Sequence, residues 1–321
     1  MKQYKDLLLE ILKNGEQSGD RTGTGTIRIP SYTMKFDMST GKFPIVTAKS
    51  VPFRILAEEM LWMLRGDMDL RSLLQKNIHI WTEWPFQQWV NSLHYNGPKL
   101  PVGWELLKNT DESIERTVKE LCNKFERLVL TDDFISSTYG DCKPMYGYQW
   151  RHWLGVNPYT REIEEMDQLQ WAIDEIKTNP NSRRIIVSAW NANQIKYMKL
   201  PPCHFVMQFL VINGKLNLDM TQRSCDTFLG VPFNISQYAL LLCIVAKICN
   251  LEVGTFTHEL HDAHIYKNHL EQVTHLLNNP IHELPSLKFN RNITSIDDVN
   301  YNDFELVGYE HEGNIKAKVS I

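Results

Sequence analysis

Nowhere do two of the six cysteines stand in C-x-x-C spacing, and the start of the chain, Met1 to Asp6, shows no signal-peptide pattern. A disulfide framework is therefore not expected, and the thiols are expected to be reduced. The longest apolar run, Tyr238 to Ala246, falls well short of the ~18 residues that a membrane span needs. An excess of one charge is also missing: 34 Lys+Arg stand against 38 Asp+Glu, a net charge of −4. No global basic field draws the protein to nucleic acid or to anionic lipid, although a local basic pocket stays open. Low complexity and repeats of 20–50 residues are absent, which excludes disordered, collagen-like and solenoid classes. What is present is a 43% hydrophobic chain of 321 residues with nine Trp, 12 Tyr and 13 Phe. A chain of this size can bury about three-quarters of its unfolded surface without staples. A soluble, cytoplasmic, globular protein is expected.

The periodicity organises that material. Tyr4, Leu7, Leu8, Ile11 and Leu12 follow helical spacing ahead of Gly15,. A polar, Gly-rich loop at 20–26 precedes a strand with broken alternation (Ile27, Ile29, Met34, Phe36). Phe53 to Arg65 reads as a helix ending at Gly66, with Glu58 and Glu59 set inside an apolar segment. Residues 86–139 differ from their surroundings. Pro98 and Pro101 break the first part, and Ile114, Val118, Leu121, Cys122, Phe125, Leu128 and Val129 then mark an amphipathic helix,. Asp111 and Glu112 suit its first turn. This stretch is expected to be a helical insert within one catalytic domain spanning 1–321. Further on, Leu169, Ala172, Ile173 and Ile176 form a helix face, and Ile185 to Val187 a short buried strand. Phe205–Ile212 and Lys215–Gln222 flank Asn213-Gly214, a strong hairpin signal. Ile235 to Asn250 is apolar nearly all round, as a central buried helix would be, and Tyr266 to Leu277 predicts another helix. Strands interleaved with helices, one clear hairpin among them, predict an α/β or α+β fold on a mixed sheet.

Cys203 stands in Leu200-Pro-Pro-Cys-His204, where a strand begins. By itself it reads as a buried structural thiol. A free thiol is only roughly 3% ionised at pH 7, so catalysis requires a neighbouring cation. The paired strand ends in Gln222-Arg-Ser-Cys-Asp226, and the two-residue turn brings Arg223 beside Cys203. The Pro-Pro approach and the facing Arg-Ser-x-Asp point to a nucleophile. Arg183 and Arg184 lead into a strand, where alternation sends them to opposite sides. Together with Arg21 and Arg223 they would suit a phosphate, because guanidinium forks match its oxygens. His264 and Tyr266 share one face of an extended stretch and suit hydroxyl recognition. The histidines at 258, 261, 264 and 269 lack the spacing of a metal site, so no metal is expected. A Cys–His hydrolase built on Cys203 and His264 stays formally open, but the arginines favour a phosphorylated substrate.

Several blocks together resemble the thymidylate synthase family. They are Asp20-Arg-Thr-Gly-Thr-Gly25, Ile80-Trp-Thr-Glu-Trp84, Tyr146-Gly-Tyr-Gln-Trp150, Ser182-Arg-Arg-Ile-Ile-Val-Ser-Ala-Trp190, Leu200-Pro-Pro-Cys-His204, Gln222-Arg-Ser-Cys-Asp226, Phe228-Leu-Gly-Val-Pro-Phe-Asn234 and Asp262-Ala-His-Ile-Tyr266. The likeness runs from about residue 4 to Ile321. It implies a mixed β-sheet flanked by helices and a homodimer whose active sites are shared. It also implies methylation of dUMP to dTMP with 5,10-methylenetetrahydrofolate. In that reading Cys203 adds to C6 of the pyrimidine, and Arg223 lowers its pKa and holds phosphate. Arg21, Gln222 and Ser224 complete the phosphate cage, with Arg183 and Arg184 donated by a second subunit. His264 and Tyr266 bind the ribose 3′-hydroxyl. Asn234 pairs with N3–H and O4 of uracil, for which an amide has both the donor and the acceptor. Asp226 faces the pterin, Trp81, Gly230 and Phe233 line its slot, and Lys49 and Ser320 belong to the same folate side. Glu59 organises proton transfers, and Tyr146 sits near the proton that leaves C5.

This chain departs from the family pattern at Ser50, Thr221, Ser236-Gln237, His261, Glu312-Gly-Asn314 and Lys318-Val-Ser-Ile321. These positions are expected around the folate slot and the closing tail. They raise a second reading, a hydroxymethylase in which water replaces hydride and 5-hydroxymethyl-dUMP forms. Ser320, Gln237 and His261 argue for water, Trp81 and Ile321 for hydride, and methylation is preferred. A third reading, a non-catalytic RNA-binding or regulatory member, sits poorly with the intact Cys203, Arg223, Asp226 and Asn234.

Overall fold

The Asn213-Gly214 turn places both central residues at positive φ, 51° and 75°, the backbone a tight hairpin turn requires and glycine adopts freely. It joins the antiparallel strands His204–Ile212 and Lys215–Gln222. The long strand Glu252–Tyr266 adds beside Lys215–Gln222 in parallel, and Thr26–Asp37 pairs antiparallel with it from Thr26↔Tyr266 to Asp37↔Thr255. Glu16–Ser18 and Ile186–Ser188 close the two edges, and Cys225–Asp226 pairs with the end of the long strand. In this computed structural model, which describes residues 1–20 and 22–320, the result is a seven-stranded mixed sheet. Arg21 and Ile321 lie outside the described residues.

A parallel pair needs a long crossover, and here it is the helix Gly230–Ile248, buried on nearly every side. It is the one helix among the described residues long and apolar enough to cross a membrane, and 83% of that stretch is buried inside the protein. Phe53–Arg65 packs beside it, ending at Gly66 in the left-handed region (φ 67°) and burying Leu56 through Leu64, both glutamates included. The short helix Tyr146–Arg151 meets it at Gly147. A Cβ there would lie 2.0 Å from the Met63 carbonyl oxygen, so only glycine allows the approach.

Within 86–139, the helix Glu112–Thr131 is capped by Asp111, whose carboxylate accepts from the Ser113 and Ile114 N–H groups,. Phe125 packs against Phe86 and Trp89, and Trp104 sets its edge on Phe86. This aromatic group is continuous with the main core.

Two elements differ from expectation. Residues 262–266 belong to the long strand, held extended by pairing with Thr26–Ile29, so the following helix starts only at Leu270. Ile186–Ser188 is an edge strand with one neighbour. Val187 is buried, but Ile186 is 44% exposed.

Candidate active site

The two hairpin strands end side by side, and there the Arg223 N–H donates to the Cys203 carbonyl at 2.8 Å. The Arg223 guanidinium donates Nε to Pro202 O and Nη2 to Pro201 O, both at 2.8 Å. The Pro-Pro segment thus aims the fork, and Nη2 comes 4.0 Å from Cys203 Sγ. A register shift between His204 and Val206 bends the strand just after the thiol, the kind of bulge that re-aims a side chain. From the other side the Cys203 N–H donates to Tyr146 Oη at 2.9 Å. Tyr146 sits at φ 32°, a strained backbone that surrounding contacts must hold. Burial pushes the Cys203 thiol up, and Arg223 and Tyr146 pull it back. Among the described residues no imidazole hydrogen-bonds this sulfur. His204 is bonded to Tyr238 Oη at 2.7 Å, and burial pushes it down to about 3, so it is neutral. A Cys–His hydrolase has no base here.

Cys203 opens on a cleft of about 960 Å³. Arg223, Ser224 and Asp226 line it from the hairpin side, His264, Tyr266 and Asp262 from the long strand, and Val319 and Ser320 from the C-terminal tail. Asp226 Oδ1 accepts from the N–H groups of Phe228 and Leu229 at 3.0 and 3.1 Å, which holds the carboxylate at the entry of Gly230–Ile248. His264 Nδ1 bonds the Asp262 carbonyl at 2.8 Å. A carbonyl only accepts, so Nδ1 is the donor in this bond. Ser320 Oγ bonds Thr24 and Asn268. The segment 86–139 reaches the same cleft through Gln87 and Glu105, beside Trp84 and Lys199. Nothing in the sequence marked these as cleft residues, because only the packing of the insert brings them there.

Among the described residues the arginines do not converge within one chain. Arg183 and Arg184 are exposed and outside their own cleft. The alternation argument fails for them because the strand begins only at Ile186. Arg21 lies outside the described residues, which leaves Arg223 as the described member of that set in the cleft.

Gln222 is not among the residues lining the cleft. Burial alternates along Lys215–Gln222, and Gln222 falls on the inner face with Leu216, Leu218 and Met220. Its amide is engaged by protein partners: Nε2 donates to Ser224 O and to Asn234 Oδ1, both at 3.1 Å, and Oε1 meets His258 Nε2 at 2.9 Å. Asn234 Nδ2 in turn donates to Gln237 Oε1 at 3.2 Å, and Gln237 Nε2 donates to Glu59 Oε2 at 2.6 Å. The Trp81 indole N–H supplies the other Glu59 oxygen at 2.7 Å. Burial outweighs these two donors and pushes the Glu59 carboxyl up to about 7. Gln237 is 1% exposed, and His261 lies off the cleft on the open side of the long strand. Neither adds polarity to the cleft, and of the three residues expected to favour water only Ser320 lines it. The i, i+3 spacing of Asn234 and Gln237 on one helix was the available signal for their contact.

Lys49 does not reach the cleft. Its ammonium is buried, donating to Phe228 O at 2.6 Å and lying 4.0 Å over the Phe228 ring, and burial lowers it to about 8. It props the loop before Gly230–Ile248. Gly230 faces Asp226 Cβ and Asn234 Oδ1, each 3.8 Å from where its Cβ would be. Phe233 is half-buried against the core. Trp81 is buried between Trp62, Trp84 and Tyr146. Among the described residues no three His, Cys, Asp or Glu side chains gather as a metal site.

The chain matches a family model described as Thymidylate synthase over residues 2–321. Relatives carrying the name thymidylate synthase include those of Listeria monocytogenes serotype 4b and Listeria innocua serovar 6a, each 46% identical to this chain over 321 residues. That of Listeria monocytogenes serovar 1/2a is 45% identical over the same length. In all three alignments 100% of both chains is covered.

Proposed function

This chain belongs to the thymidylate synthase family, and from that premise we propose that it methylates dUMP at C5 to give dTMP, with Cys203 as the nucleophile. The observation that carries the reading is the Cys203 sulfur 4.0 Å from Arg223, on a cleft that also presents His264 and Tyr266. A phosphate held by Arg223 and Ser224 at one end and a ribose hydroxyl at His264 and Tyr266 suit a nucleotide monophosphate. Arg21 belongs to the phosphate group as well. Arg183 and Arg184, exposed beside their own sheet edge, suit the cleft of a second copy in a homodimer with shared sites.

The thiolate forms a bond to C6, and the C5–C6 electron pair moves toward O4, which makes C5 the nucleophile. The Asn234 amide stabilises that charge by donating to O4 while accepting from N3–H. Glu59, with a carboxyl near neutral, both gives and takes protons at working pH,. Tyr146 lies against the Cys203 backbone, in place for the proton that leaves C5. The cosubstrate, 5,10-methylenetetrahydrofolate, supplies the one-carbon unit and the hydride that reduces it to methyl. The residues fit such a group: Asp226 offers a fixed carboxylate to pterin N–H donors beside the Trp81 and Trp84 aromatic wall. Gly230, next to Asp226, and Phe233 are assigned to the same folate side, with Ser320 on the tail. The protein is further proposed to be cytoplasmic, one catalytic domain with 86–139 as an insert.

Hydroxymethylation is not favoured, since the relatives carry the synthase name and the Gln237 and His261 arguments are gone. The test is turnover with dUMP and 5,10-methylenetetrahydrofolate, reading product mass and dihydrofolate absorbance together. One dihydrofolate per dTMP is expected. A product with one extra oxygen and no dihydrofolate would mean hydroxymethylation, and folded protein without product would favour the regulatory reading. Cys203→Ala is expected to fold and form no product.

A further inference from the structure

Asn234 can read a pyrimidine in two ways. With Nδ2 toward O4 and Oδ1 toward N3–H it accepts uracil. Cytosine presents a bare N3 and an amino group, so it requires the amide turned by 180°. Both neighbours of Asn234 oppose that turn. Gln222 offers it an NH2 and Gln237 offers it a carbonyl. A turned Asn234 would set NH2 against NH2 and oxygen against oxygen.

Neither neighbour can turn in compensation. The Gln222 NH2 also donates to the Ser224 carbonyl, and its oxygen meets His258 Nε2. The Gln237 NH2 donates to the Leu56 carbonyl at 3.5 Å as well as to Glu59. Backbone carbonyls only accept, so the direction of the whole row is set at both ends. His258 therefore carries its proton on Nε2. Its Nδ1, buried without a partner, is the neutral ring's lone pair, consistent with burial lowering this imidazole to about 3.

We infer that Gln237 is a specificity-determining positioning residue: it holds Asn234 in the orientation that accepts uracil and rejects cytosine. The inference deepens the proposed dUMP reading and rests on it. It also ties base reading to proton transfer, since the same amide donates to Glu59.

The experiment compares dissociation constants for dUMP and dCMP, and the pH profile of dUMP turnover, in wild type and Gln237 variants. Gln237→Met removes one of the two restraints, and the dCMP/dUMP ratio is expected to fall on the order of tenfold, the worth of one buried hydrogen bond. Losing an N–H donor to Glu59 should also move the acidic limb of turnover to higher pH. Gln237→Ser, which removes the amide with a small polar group, carries the same expectation should the Met variant fail to fold. Gln237→Glu keeps an acceptor toward Asn234 Nδ2 and should retain most of the wild-type ratio. An unchanged ratio in the Met or Ser variant, with normal dUMP turnover, overturns the inference and leaves the dUMP reading standing. Failure of the wild type to bind dUMP overturns both.

Discussion

Replacing Arg223 by Met tests whether the guanidinium activates Cys203. The fork lies 4.0 Å from the sulfur. At that distance a unit charge stabilises a thiolate by about 1 kcal/mol in water and by about 4 kcal/mol at an effective dielectric near 20. The site is a half-buried cleft, so the effect lies between these limits. At 1.36 kcal/mol per unit, the Cys203 titration should move up by roughly one to three pH units. The assay is the rate of alkylation at Cys203 against pH, read by peptide mass. The other five thiols are poor competitors because burial raises them all. Cys122, Cys142 and Cys243 reach about 12, Cys249 about 11, and Cys225 lies well above its ordinary value. Arg223→Lys should fall between wild type and Arg223→Met, since it keeps charge but loses the fork that Pro201 and Pro202 orient,. Superimposed profiles for wild type and Arg223→Met would refute the reasoning and leave Tyr146 as the remaining source of activation.

Asn234→Asp should shift preference toward dCMP, and competitive binding of the two nucleotides checks it; unchanged selectivity would mean that another group reads the base. Stability should depend on pH in a defined way. His204 and His258 titrate near 3 in the fold against about 6.5 unfolded, so their contribution is present above 6.5 and lost as pH falls toward 3. Glu59 acts oppositely: raised to about 7, its contribution is greatest in acid and is lost as pH rises from about 4.5 through 7. These three groups alone give a net slope of about 1.3 kcal/mol per pH unit near pH 5.5, steepening to about 2.1 near pH 4. Urea midpoints across pH 4–7 would show it, and a flat profile would contradict it. Gly147→Ala should destabilise by about 3 kcal/mol or more, because the new methyl meets backbone at Met63; a denaturation midpoint equal to wild type would exclude that contact.

Where the chemistry depended on neighbours along the chain, it could be read before folding. Asn213-Gly214 sets the hairpin, the hairpin sets the ends of its strands, and those ends bring Arg223 to Cys203. Asp111 caps its helix through its own next residues. Alternation inside the strand also places Gln222, which shares the inner face with Leu216, Leu218 and Met220,. For Arg183 and Arg184 alternation gives no direction, because they lie ahead of the strand that begins at Ile186. At Lys49 a lone cation carries no local sign that its ammonium is buried against Phe228.

The sequence by itself determined that Arg223 stands beside Cys203, and that the sheet is built around one hairpin. These follow from turn geometry and periodicity, which act over a few residues. Tertiary structure alone decided the row from His258 through Gln222, Asn234 and Gln237 to Glu59. Its members come from two strands and two helices far apart in the chain, and beyond the i, i+3 pair of Asn234 and Gln237 no spacing rule connects them,. Which way each amide points is settled only when burial removes water as an alternative partner and leaves the Leu56 and Ser224 carbonyls to accept,.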